Sequence, residues 1–347
     1  MTKPFELDTE ILARYLAEQG LTLDRDVAPK RCAGGLANLN FELSVDGQRA
    51  ILRRAPSGPL PKGAHDMARE HRVLSRLSAH LPLAPRSFHL CEDAAVLGAP
   101  FQLIEFRQGR VFRGDDLSAM NPGEDMAAAL PGLLAGAMAD LHAVDPAACG
   151  LDTLGRPAGF VPRNAARWSG AVVTMSDGTP HAGLAREAAD LVQARFDGWA
   201  DGDVTLLHCD IKLDNLILAD DGLRAVALLD WDMATLGDPI YDLATLLSYW
   251  TEPGDPEGMQ RLRQMPTGHA GFPSRDDMAA AYGRATGRSL DTLGAMRALC
   301  QLKLAVIFLQ LHARWVDGAL GDDRYAEFGT LGVELLEYAR DVARLGG

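Results

Sequence analysis

His208, Asp210, Lys212 and Asn215 fall within eight residues of one another, and a second aspartate, Asp230, follows Asn215 by fifteen. A carboxylate, an amide and a further carboxylate at this spacing are the parts that phosphoryl transfer needs. A general base must accept the proton of an attacking hydroxyl, which assigns Asp210. Oxygen donors must hold Mg²⁺, a hard cation, against nucleotide phosphates, which assigns Asn215 and Asp230 as metal ligands. Taken alone, Asn215 reads as a turn amide and Asp230 as a capping acid. Their common fit to one mechanism favours the ligand reading. His208 reads as a support that hydrogen-bonds within the loop. Asp232 and Asp238 read as loop anchors, and Asp242 as a helix cap or a brace for the loop.

The surrounding chain must position these groups. A short strand over Val204–Leu207 leads into the segment. A hairpin over Leu216–Leu218 and Leu223–Leu229, turning at Asp220-Asp221-Gly222, ends at Asp230. A strand end holds a ligand more firmly than a mobile loop. Earlier in the chain, Asp8–Gln19 has Ile11, Leu12, Tyr15 and Leu16 at helical spacing. Asn40–Val45 and Gln48–Arg54 read as strands joined at Asp46-Gly47. The glycine pair Gly34-Gly35 precedes them and suits a close backbone approach to phosphate, or a plain turn. Pro56–Gly63 reads as a connector. A helix over Ala64–Ser78 puts Met67, Glu70, Leu74 and Leu77 on one face. Glu70 in an apolar stripe needs a partner. Strand alternation lets only one of Arg53 and Arg54 point inward to supply it. Phe101–Phe106 reads as a last sheet strand running into a hinge. After it the chain turns mostly helical, with helices over Met126–Val144 and Ala182–Ala200. Met296–Val316 is apolar almost all round and predicts a buried helix, in which Lys303 calls for a carboxylate partner or an anionic ligand.

The 347 residues suffice for one large core or two lobes, and the 47% hydrophobic and 23% charged content is that of a globular protein. A net charge of −13 argues against nucleic acid and anionic membranes as partners. The five scattered cysteines read as free thiols in a reducing cytoplasm. The N-terminal stretch has acids where a signal peptide has its apolar core. The strongly apolar run Leu304–Leu311 is too short to span a bilayer.

From Leu207 to Asp242 the chain resembles the aminoglycoside phosphotransferase and choline kinase superfamily of kinase-like small-molecule kinases. Its Leu229-Asp230-Trp231-Asp232 stretch through Gly237-Asp238-Pro239 is most similar to the branch found fused to some acyl-CoA dehydrogenases. Gly34-Gly35, Asn38, Asn40, Arg53-Arg54, Glu70, Glu105, Arg107 and Arg275 fall in family order along nearly the whole chain. One departure is Cys209, where the family usually has glycine. The resemblance implies an α+β, bilobal protein-kinase-like fold. Residues 1–106 would form a small antiparallel-sheet, nucleotide-binding N-lobe with the hinge. Residues 107–347 would form a mainly helical C-lobe with the catalytic loop, metal site and substrate pocket. It further implies ATP and Mg²⁺ as cofactors, and Lys212 beside the base as in Ser/Thr kinases. Gly34, Gly35 and Asn38 would lie at the phosphates. Arg53 would pair with Glu70, and the backbone of Glu105 and Arg107 would meet adenine. The expected reaction is transfer to a hydroxyl of a small molecule, with hydroxyacyl metabolites among the acceptors that the branch suggests. Alternatives are a non-catalytic nucleotide-binding scaffold and a true aminoglycoside-modifying kinase. A protein kinase is disfavoured, because the dozen residues after Asp230 leave no room for an activation loop. Oligomeric state is not legible.

Overall fold

The structure is a computed structural model that describes residues 5–32, 38–55 and 66–345. The Gly34-Gly35 pair and the connector Pro56–Gly63 lie outside the described residues.

The first part of the chain contains helix α1 (Thr9–Glu18), strands β1 (Lys30–Arg31), β2 (Leu39–Val45) and β3 (Gln48–Arg54), helix α2 (Met67–Leu77), strand β4 (Ser87–Cys91), helix α3 (Ala94–Leu97) and strand β5 (Phe101–Glu105). The strands form one antiparallel sheet in the order β1-β2-β3-β5-β4. Local chemistry explains the boundaries. The Asp8 carboxylate caps α1 by accepting from the backbone N–H of Glu10 and Ile11. Asp46 and Gly47 take φ of 52° and 73°, the left-handed pair that closes a two-residue hairpin. Leu12 and Leu16 of α1 are fully buried on the sheet beside Phe41, Leu52, Phe101 and Leu103. Each such side chain contributes roughly 1.5–3 kcal/mol. Ile11, expected on the inner face, is instead exposed. It lies at the edge of the stripe, and Ala13 takes the inner place.

The remainder contains β6 (Arg110–Val111), α4 (Met126–His142), α5 (Phe160–Ser176), α6 (Ala182–Ala194), β7 (Thr205–Leu207), β8 (Leu216–Leu218), β9 (Ala225–Leu228), β10 (Thr235–Gly237), α7 (Ile240–Tyr249), α8 (Glu257–Leu262), α9 (Arg275–Thr286), α10 (Leu293–Val316) and α11 (Phe328–Leu345). Two small antiparallel sheets, β10-β7 and β6-β8-β9, frame the segment between Leu207 and Leu216. The helix expected over Ala182–Ala200 stops at Ala194, and the chain turns through Gly198 at φ 70°. Helix α10 exceeds the run expected from its apolar core. By length and composition alone it is long and apolar enough to cross a membrane. Its residues from Met296 to Leu309 lie mostly in the large core, while Val316 at its end is exposed. The expected all-round burial therefore holds only for the first part of the helix. Val73, Leu74 and Leu77 of α2 and Ile104 of β5 also belong to this large core, so the sheet is tied to the helices through α2.

Candidate active site

β7 delivers the chain into a tight turn at His208-Cys209-Asp210. Cys209 adopts φ 67°, a left-handed conformation that costs a non-glycine residue roughly 1–2 kcal/mol. The turn is held by Asp242, which lies in the first turn of α7 and is fully buried. Its Oδ2 accepts from the His208 N–H at 2.8 Å and its Oδ1 from the Cys209 N–H at 2.7 Å. Of the two roles expected for Asp242, the structure selects the brace. His142 of α4 backs it at 3.2 Å, and the Tyr282 hydroxyl holds His142 at 2.9 Å. His208 is also fully buried. Its Nε2 lies 2.9 Å from the Leu229 carbonyl and its Nδ1 3.3 Å from the Asp210 N–H. A carbonyl only accepts, so the ring carries its proton on Nε2. Burial lowers the His208 pKa against the pull of Asp242, Asp210 and Asp230, which keeps the ring neutral and structural, as its sequence context suggests.

Asp210 is half-buried and engaged on both oxygens. Tyr249, at the last turn of α7, donates its hydroxyl to Oδ1 at 2.8 Å. Asn215 donates its amide to Oδ2 at 2.9 Å and to the Asp210 carbonyl at 2.8 Å. The Lys212 ammonium stands 3.4 Å from Oδ2 and 4.8 Å over the Tyr249 ring. Burial opposes the Lys212 charge, but Asp210, Asp214 and Asp230 hold its pKa above the ordinary value. Burial, then Asp210, pushes the Tyr249 phenol well above its usual range, so it stays a donor. Sequence reasoning does not single out Tyr249 or Gln102. Tyr249 follows Asp242 by seven residues, which places both on one face of α7, and that spacing is the available signal.

Asp230 sits just beyond β9, as expected of a strand end, with φ 70°. It is joined to Arg53, which also donates from Nε to Glu70 Oε2 at 2.8 Å. Arg53 is therefore the inward arginine of β3. Arg54 points the other way, fully buried, and donates to the carbonyls of Leu97 and Ala55, each at 2.8 Å. Glu70 is 1% exposed and further accepts from Gln102 Nε2 at 2.6 Å and from the Trp231 N–H at 3.2 Å. Burial works against the Arg53 charge, but Glu70, Asp230 and Asp232 outweigh it and raise its pKa. Asp232 is expected to anchor the loop, and here the structure differs. It makes no hydrogen bond among the described residues, and burial followed by Asp230 and Glu70 pushes it up to about 7, against Arg53. Asp238 does anchor, accepting from the Ile240 N–H at 2.9 Å.

A cavity of about 260 Å³ opens beside this cluster. Ile51, Ile104, Ile217 and Leu229 give it apolar walls, and Arg53, Glu70 and Asp230 give it a charged one. Glu105, Phe106 and Arg107, where β5 leaves the sheet, border it. The Glu105 carboxylate faces Arg107 at 3.1 Å and accepts from the Arg86 N–H at 3.1 Å. Gly109 completes the wall. A Cβ there would stand 2.3 Å from the Leu218 carbonyl oxygen, so only glycine lets the chain pass β8. Among the described residues, Asn40 Oδ1 and Arg107 Nε border this cavity buried and without a partner, and nearby Asn38 Oδ1 is in the same state. Unpaired buried polar atoms of this kind suit a polar ligand. The donor set also suits a hard cation: Asn215 uses its amide nitrogen on Asp210, which leaves its carbonyl oxygen, and Asp230 keeps one carboxylate oxygen clear of Arg53.

Lys303, expected to form a salt bridge, forms no ion pair among the described residues. Its Nζ donates to the Cys209 carbonyl at 3.1 Å and lies 5.1 Å over the Tyr241 ring.

The model of the phosphotransferase enzyme family matches residues 29–299. Over 326 residues the chain is 29% identical to acyl-CoA dehydrogenase family member 11 of Gallus gallus, covering 91% of this chain and 40% of that protein. The chain thus spans about two fifths of that relative's length. A solved structure from Ralstonia eutropha, ascribed to the aminoglycoside phosphotransferases, is 25% identical with a TM-score of 0.76, covering 99% of this chain and all of that one. A thermostable mutant of an aminoglycoside phosphotransferase, solved in a ternary complex with ADP and hygromycin B, has a TM-score of 0.59 at 16% identity, covers 95% of this chain and 98% of its own, and shares the fold. With the antiparallel sheet, the helical remainder and the framed His208–Asn215 segment in place, the matched span shows that the chain belongs to the phosphotransferase enzyme family.

Proposed function

We propose that the protein is an ATP- and Mg²⁺-dependent phosphotransferase whose acceptor is a hydroxyl of a small molecule. The observation that carries this reading is the convergence of Asp210, Asn215 and Asp230, with Asn215 bonded to Asp210 and Asp230 tied through Arg53 to Glu70. Residues 1–106 would form the nucleotide-binding unit and 107–347 the unit with the catalytic loop and acceptor pocket. Bound MgATP would supply the transferable phosphoryl group and cationic stabilisation of its charge. Asp210 orients the acceptor hydroxyl and takes its proton. Tyr249 and Asn215 fix the carboxylate plane for that task. Lys212 stabilises negative charge developing beside Asp210. Asn215 and Asp230 hold the metal through oxygen. Arg53, buttressed by Glu70, and the segment through Gly34, Gly35 and Asn38 serve the phosphates. The backbone of Glu105 and Arg107 serves the base.

The acceptor is a hydroxylated metabolite, such as a hydroxyacyl compound, rather than an aminoglycoside. Glu252 and Asp255, acids that a polycation would seek, are already bound to the buried Arg275. A protein acceptor is disfavoured because α7 begins ten residues after Asp230. A coupled assay of MgATP consumption against hydroxylated metabolites, hydroxyacyl thioesters and aminoglycosides tests the reading. Asp210→Asn should lower kcat by about 10² or more while nucleotide binding persists. Turnover near that of the wild type in this variant would remove Asp210 from its role.

A further inference from the structure

Cys209 is the residue between the loop histidine and the proposed base, and its backbone is left-handed. A strained residue stays in place only when its surroundings over-determine it. Here both polar groups of its backbone are held by buried ionisable side chains from different helices. Asp242 of α7 takes the N–H at 2.7 Å. Lys303 of α10 donates to the C=O at 3.1 Å. Asp242 is 0% and Lys303 4% exposed. Lys303 has no ion-pair partner among the described residues, and a buried lysine of that kind is costly to keep. Its ammonium also lies 5.1 Å over the ring of Tyr241, the residue preceding Asp242 on α7. Lys303 is thus aimed at one backbone oxygen, that of the residue directly before Asp210.

We infer that Lys303 is a positioning residue which, opposite Asp242, locks Cys209 in its left-handed conformation and so sets the direction of Asp210. The role in turnover rests on the phosphotransfer reading; the backbone lock does not. The lock explains how a residue with a Cβ is tolerated at φ 67°. It also argues against an acceptor-binding role, because Lys303 is buried and its ammonium is engaged on the loop carbonyl.

A double-mutant cycle with two readouts tests it. Amide hydrogen exchange is followed in peptides covering residues 206–212, in Lys303→Met and in the same change made on a Cys209→Gly background. Glycine occupies the left-handed region without penalty, so it should need the lock less. Lys303→Met should speed exchange in this segment by about tenfold in the protein that keeps Cys209 and by only about twofold in the Cys209→Gly background. MgATP turnover should fall about tenfold in the single variant, with nucleotide Kd within about twofold, and should recover in the double variant. An equal acceleration in both backgrounds, an acceleration spread evenly over α10, or no acceleration overturns the inference. If Lys303→Met does not fold, Lys303→Leu, which also lacks a donor, carries the same comparison. A wild-type protein without any phosphotransfer would sink the functional reading, while the exchange cycle would still decide the lock.

Discussion

Arg53 and Arg275 each stand between two carboxylates, and the two sites have opposite characters. Arg53 joins Glu70 to Asp230, and Arg275 joins Glu252 to Asp255. Around Arg275 everything is satisfied. Its guanidinium meets Glu252 at 2.8 Å and Asp255 at 2.5 Å, and the same group also reaches the Trp250 carbonyl. One cation with two acids and a carbonyl, its guanidinium buried and Glu252 at the edge, is a structural knot. Around Arg53 the negative excess is larger. Asp232 brings a third carboxylate with no hydrogen bond among the described residues, and the cluster borders an open cavity. Excess negative charge beside a cavity is consistent with the metal-dependent role proposed above. Similar residue types thus make a structural knot in one place and the charged wall of a cavity in the other.

The contrast breaks first at Arg275. Arg275→Ala strands the nearly buried Asp255, with Glu252 partly exposed beside it, and should cost about 3 kcal/mol in unfolding free energy. A urea titration checks this, and a loss below roughly 1 kcal/mol would make the knot a surface pair. At the other site the main effect should fall on ligand binding. Arg53→Ala and Asp230→Ala should each weaken MgATP binding by about tenfold or more, and Asn215→Ala by less, because a carboxylate holds the ion more strongly than an amide. Calorimetry with and without Mg²⁺ separates these variants. Unchanged affinity in all of them would leave the cavity without its proposed ligand. Arg54→Ala sharpens the point from the neighbouring residue. It should lower stability by about 1–3 kcal/mol, since two buried carbonyls lose their donor, with bound-nucleotide affinity kept in the folded fraction.

The smallest expected effect is in pH. Asp232 rises from 3.8 to about 7 on folding, so the folded chain binds more protons than the unfolded one across that window. Stability therefore falls as pH rises through it, and the penalty is complete above about 7. Asp232→Asn should raise Tm by a few degrees at pH 8 and leave it unchanged near pH 3, where both states are protonated. A matching gain at both ends would assign the effect to packing rather than charge.

What is legible in the chain divides by distance. The spacing of Asp210, Asn215 and Asp230 is a local pattern, as are the β2–β3 hairpin at Asp46-Gly47 and the inner face of α2, and the structure reproduces the hairpin and the helix face. Choosing Arg53 over Arg54 needs only strand alternation and a family match. The hydroxyl of Tyr249 on Asp210, the support of Glu70 by Gln102 and the bond from Lys303 to Cys209 join residues 39, 32 and 94 apart in the chain. No periodicity encodes such contacts. Lys303 shows the limit most clearly. Its oddity in an apolar helix is readable, but sequence points to a carboxylate partner, and the backbone carbonyl it meets has no sequence signature. Arg275 shows the converse, since acids and arginines interspersed between Glu252 and Arg275 look like a mixed surface until the fold closes them into one knot.

Helix α10 has a consequence for how the chain is made. Its 24 residues hold an 18-residue window of mean hydropathy 1.4, which insertion machinery can mistake for an anchor while it is still bare. Its neighbours α5, α6 and α7 lie earlier in the chain, so they have left the ribosome before it appears. They offer it a greasy seat at once. Its other main neighbour, α11, follows within seconds at ordinary rates of synthesis. The order of elements along the chain therefore doubles as a chaperoning schedule, in which the most membrane-like helix among the described residues is received by helices already waiting for it.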